Sequence, residues 1–164
     1  MKVLVSLFLI LSFHQACIAQ KTVDFEKIDL KHGFKDAQFG TSYNTLRLKM
    51  GLEKPIDAGP TQYRITNSKY LSIGNYPVSY AVASFANDKL YFIGLFIDNV
   101  QKRSYQDVLS YLTDVFGKPE HEGNTYYWDG NNLSYSLVHE EQVNKTFIGI
   151  VSLRVKKDNG RSNF

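Results

Sequence analysis

The sequence predicts an α+β fold: a tandem helix–strand–strand–strand repeat whose antiparallel sheet carries two helices mainly on one face. Three observations predict it. In the second half, Ser104 is placed to cap a helix in which Val108, Leu109, Leu112, Val115 and Phe116 recur at a 3.6-residue period, and Gly117 and Pro119 stop it. Three extended runs come after it, Thr125–Trp128, Leu133–His139 and Thr146–Val155. The same order is written more faintly between Thr41 and Ile97.

Taken in order, the chain begins with a leader. Met1-Lys2 gives a positive start and Val3 to Phe13 an apolar run too short to span a bilayer, for which about 20 residues are needed. Cys17-Ile18-Ala19 sets a small residue before Gln20, so residues 1–19 are expected to be removed as a signal peptide, leaving no transmembrane segment. Lipid attachment at Cys17 is the less favoured outcome, because His14 stands where lipoprotein leaders place Leu. The mature chain would hold no cysteine, which removes disulfides and thiolate chemistry from it.

Residues 20–157 form one expected domain with halves at about 34–98 and 104–156, and 158–164 is expected to be a flexible tail. Lys21 to Gly33 reads as an edge strand or ordered tail, and Phe34 to Phe39 as a strand stopped by Gly40. Thr41 or Ser42 caps the first helix, whose inner face carries Tyr43, Leu46, Arg47 and Met50 before Gly51 and Pro55 end it. Leu52–Thr61 reads as a loop, Gln62–Ile65 as a strand and Thr66–Pro77 as a loop or loose hairpin. Tyr80–Phe85 and Lys89–Ile97 form a hairpin across Ala86-Asn87-Asp88. The halves answer each other in Leu46–Gly51 and Leu112–Gly117, each followed by Lys-Pro, and in Phe92-Ile93-Gly94-Leu95 and Phe147-Ile148-Gly149-Ile150. A glycine in mid-strand marks a bulge or a close neighbour.

With 43% hydrophobic and 21% charged residues the composition is that of a folded globular chain. The net charge of +3 is scattered rather than clustered, which argues against nucleic acid as a partner. Catalytic patterns are weak. His139-Glu140-Glu141 lacks the second His of a zinc-protease helix, position 143 being Val143. Glu120-His121-Glu122 alternates its side chains along an extended chain and reads as a solvated loop, with no metal implied. Nucleophile-elbow and nucleotide-loop motifs are absent from the sequence, and nothing in it calls for a cofactor.

Aromatic residues are the one excess, with 11 Tyr, 11 Phe and the lone Trp128. Leu90 to Ile97 is apolar at every position, so the strand is either covered on both faces or presents aromatic surface. Tyr91, Phe96, Tyr126 and Trp128 are accordingly the binding candidates, with core packing as the plainer role for such rings.

The residues Gly40-Thr41-Ser42 through Met50-Gly51 and Pro55, and Val115-Phe116-Gly117-Lys118-Pro119 with Trp128, resemble two groups of small exported α+β proteins. These are the beta-lactamase-inhibitor-like fold and the outer-membrane-assembly lipoproteins of the SmpA/OmlA type. The likeness spans about residues 34–155, and it extends to uncharacterised secreted bacterial proteins. Such families act by binding, so the resemblance implies an exported, non-catalytic interaction module whose partner is a protein or cell-envelope component. The competing expectation is a small hydrolase that gathers His121, His139, Asp129 and Glu122 in a pocket.

Overall fold

The computed structural model describes residues 28–29, 31–55, 61–98 and 103–160. The expected leader, its Cys17 and the last four residues lie outside this set. The fold is α+β and dominated by strand. Its centre is an eight-stranded antiparallel sheet formed by β3 (Leu52–Pro55), β4 (Gln62–Ile65), β7 (Tyr80–Ala86), β8 (Lys89–Asp98), β9 (Glu120–Glu122), β10 (Thr125–Asp129), β11 (Leu133–Glu140) and β12 (Lys145–Ser152). Their spatial order is β3-β4-β7-β8-β12-β11-β10-β9. Two small ribbons stand apart, β1 (Gly33–Phe34) with β2 (Ala37–Gln38), and β5 (Ser72–Ile73) with β6 (Tyr76–Pro77).

The first helix, α1 (Tyr43–Met50), starts where the Ser42 side chain accepts the Thr45 N–H, and ends at Gly51, whose φ of 61° is the left-handed conformation glycine adopts without strain. Leu46 and Met50 are buried, whereas Arg47 is exposed, contrary to its expected place on the inner face. The second helix, α2 (Arg103–Phe116), begins one residue before the expected cap at Ser104 and buries Val108, Leu112 and Phe116 as its period requires. The hairpin joining β7 and β8 turns on Asn87 and Asp88, both at positive φ, which matches the twist of the flanking strands.

Several expectations fail for identifiable reasons. The helices α1 and α2 are each followed by four strands of the main sheet rather than three. Leu52–Pro55, expected as loop, pairs with β4 at the sheet edge, where a proline costs no ladder bond on its outer side. Glu120–Glu122, also expected as loop, pairs with β10 as the other edge strand, exposed throughout and therefore free of any apolar signal. Phe34–Phe39 is not one strand, because Lys35 at φ 55° folds it into the β1–β2 ribbon. The strand expected to reach Val155 stops at Ser152, and a further helix, α3 (Leu153–Gly160), takes in part of the expected tail. The Ser152 hydroxyl, placed like a cap, accepts the Val155 N–H.

Register places Tyr63, Ala83, Ile93, Ile150, Tyr135 and Trp128 in one row on the same side of the sheet. Tyr43 of α1 meets Tyr63 and Phe85, and Phe116 of α2 meets Tyr135. A polar hub ties the small ribbons to α1. The Asp36 carboxylate takes bonds from Lys69 at 2.6 Å and the Tyr70 hydroxyl at 2.6 Å, with Lys49 at 3.4 Å, and these partners hold its pKa far below the usual carboxylate value. Burial and the same carboxylate push the Tyr70 hydroxyl the other way, upward.

Candidate functional site

The apolar run in β8 divides between the two faces. Ile93, Leu95 and Ile97 point to the core, while Phe92, Gly94 and Phe96 point away. On this second face Phe96 pairs across the ladder with Phe147, and Gly94 lies directly opposite Gly149. The rings form a continuous row: Tyr80 to Phe96 at 5.2 Å between centroids, Phe96 to Phe147 at 4.9 Å, Phe147 to Phe92 at 6.3 Å and Phe92 to Tyr91 at 6.4 Å. The Arg64 guanidinium lies 5.3 Å over the Tyr80 ring at one end. All five rings are half-buried.

The two glycines explain how the rings lie. A Cβ on Gly94 would stand 2.9 Å from Val82 Cγ2, 3.0 Å from the Phe147 ring and 3.1 Å from the Phe92 ring. One on Gly149 would stand 2.7 Å from Ser136 Oγ and 3.4 Å from both rings. The missing side chains let Phe92 and Phe147 settle over the bare backbone where β8 and β12 meet. Tyr91 joins the row because β8 carries one extra residue opposite the Ser84/Phe85 step of β7.

The four aromatic candidates therefore separate. Tyr91 and Phe96 belong to the row. Trp128 is 0% exposed and donates its indole N–H to the Gly117 carbonyl at 2.9 Å, so it offers no surface to a partner. Tyr126 lies on the helix side, stacked on His121 at 4.2 Å and 6.2 Å from Tyr105, which in turn stacks on His139 at 4.5 Å. The Tyr105 and Tyr126 hydroxyls bond to each other, and burial together with that bond raises the Tyr105 pKa. Sequence reasoning missed Phe92, Phe147 and Tyr80. The matched Phe-Ile-Gly motifs held the signal for the first two.

The residues named for hydrolysis are dispersed. His121 and His139 stand at opposite ends of the two-tyrosine stack, and Asp129 is on the other face, bonded to Ser134 across the ladder. Neither of the two cavities described is lined by His121, His139, Asp129 or Glu122. The larger cavity, about 730 Å³, opens at the ends of the central strands, where His32, Lys89 and Arg154 give it basic walls. Among the described residues no group of three or more His, Cys, Asp or Glu converges as a metal site would require. No described helix is long and apolar enough to cross a membrane. Comparison with known proteins finds no family model, no curated protein and no solved structure that matches this chain.

Proposed function

We propose that the protein is an exported, non-catalytic binding module of the bacterial envelope, engaging a protein or envelope component through the aromatic row. Residues 1–19 serve as its leader. The single observation carrying this reading is the row itself, five half-buried rings in unbroken contact on one sheet face. Rings of this kind bring large apolar area at little cost in side-chain entropy, which suits them to recognition. The resemblance of Gly40–Gly51 and Val115–Pro119 to families that act by binding is in keeping with it.

The reading includes a duplicated architecture. Each half runs helix then four-stranded meander, and the meanders join through their last strands with Gly94 opposite Gly149. The contacts of Tyr43 and Phe116 with the Tyr63–Trp128 row favour both α1 and α2 on one face, and the aromatic row lies on the other. The test immobilises the wild-type chain and a Phe92→Ser/Phe96→Ser/Phe147→Ser variant and passes envelope extract over both. Proteins held by the wild type and released by the folded variant support the reading. Retention of nothing, or of the same proteins by both, ends it.

A further inference from the structure

The second cavity, about 230 Å³, lies between α2, β11 and the two small ribbons, away from the aromatic row. At about 30 Å³ per water it has room for roughly eight waters. Its walls are largely apolar, with Phe34, Ile73, Val115 and Phe116 among them. Into this setting the fold puts a buried hydroxyl. Tyr135 is 4% exposed, its ring lies 4.6 Å from that of Phe116, and its hydroxyl interacts electrostatically with Tyr111, which lines the same cavity. A buried hydroxyl in the wall of an apolar cavity is a hydrogen-bonding group that a ligand entering the cavity can use.

The charges at the cavity specify the ligand further. Lys31 and Lys35 line it, and no described lining residue is a carboxylate. Lys35 Nζ bonds to Ser72 Oγ at 2.7 Å and to the Lys69 carbonyl, which leaves one of its three donors for another acceptor. The nearby acid, Asp36, is engaged by Lys49, Lys69 and Tyr70. Tyr111 supplies a second ring, seated over Gly74 so closely that a Cβ there would stand 2.7 Å from it.

We propose that this cavity binds a small aromatic carboxylic acid, its ring between the apolar walls and its carboxylate accepting from the Tyr135 hydroxyl and Lys35. The site is independent of the aromatic row. Phenylacetate serves as probe and 2-phenylethanol, with the same ring and no charge, as control, titrated into the protein by isothermal calorimetry. The expected result is saturable phenylacetate binding with Kd on the order of 1 mM or tighter, and at least about tenfold weaker binding of the alcohol. Tyr135→Phe should weaken phenylacetate at least about tenfold while the ring packing and the thermal midpoint are kept, since the substitution removes only the hydroxyl. Lys35→Gln should weaken it and reduce its salt dependence, Lys31 remaining as the second cation at the cavity. The proposal is overturned if phenylacetate fails to saturate, if the alcohol binds equally well, or if both variants bind like the wild type. Should Tyr135→Phe fail to fold, Lys35→Gln decides alone, and unchanged binding overturns the assignment. A Phe96→Ser protein should bind phenylacetate normally, which separates this site from the surface proposed for the partner.

Discussion

Trp128 and Phe96 are both aromatic residues of one antiparallel sheet, yet their surroundings are opposite. Trp128 faces the helix side, loses all contact with water and spends its one polar atom on the carbonyl that ends α2. Phe96 faces away, keeps part of its ring in solvent and touches other rings. The difference teaches that which face a ring occupies, set by register, decides whether it acts in stability or is available for recognition.

Four substitutions sharpen or break that contrast. Trp128→Ala should cost about 3–5 kcal/mol, read from urea unfolding, because it opens a cavity under α2 and strands the Gly117 carbonyl. A loss near that of Phe96→Ala would erase the distinction. Gly94→Val should cost about 1–3 kcal/mol and release Phe92 and Phe147 from the backbone, visible as shifted ring resonances, since its Cβ alone would crowd Val82 and Phe147. Phe96→Ser should cost about 1 kcal/mol or less in urea, because its ring is only partly withdrawn from water, while weakening whatever binding the aromatic row carries.

The smallest expected effect concerns acid. Asp36 has a folded pKa depressed below its usual 3.8, so its contribution is complete above that value and is lost as pH falls below it toward the folded pKa. Asp36→Asn should flatten the loss of stability between about pH 4 and pH 2 seen in urea midpoints, while leaving the ring contacts of the other face unchanged.

Much of the helix side was legible in the sequence. The α2 period, the Asn87-Asp88 turn and β10 through β12 each carry a local signal that packing reinforces. Leu52–Pro55 and Glu120–Glu122 were not legible, because edge strands need no apolar alternation and their pairing is decided by neighbours elsewhere in the chain. The site was half legible. An all-apolar β8 identified Tyr91 and Phe96, but Phe147 and Tyr80 joined them only through inter-strand register. Tyr126 and Trp128 alternate with Thr125, Tyr127 and Asp129, a pattern that could have assigned them to the interior. The Tyr135 cavity gathers residues from two ribbons, α2 and β11, and no local pattern announces it.

Asp29 joins distant parts of the chain. Its carboxylate accepts from the backbone N–H groups of Asn131, Asn132 and Leu133, more than 100 positions away in sequence, at 3.0, 2.8 and 3.4 Å. Burial works against its charge, but the amides of Asn132 and Asn131 prevail and lower its pKa. Asp29 is thus a brace for the β10–β11 turn, and Asp29→Ala should speed amide exchange at Asn131 and Asn132 before it is felt anywhere in α1.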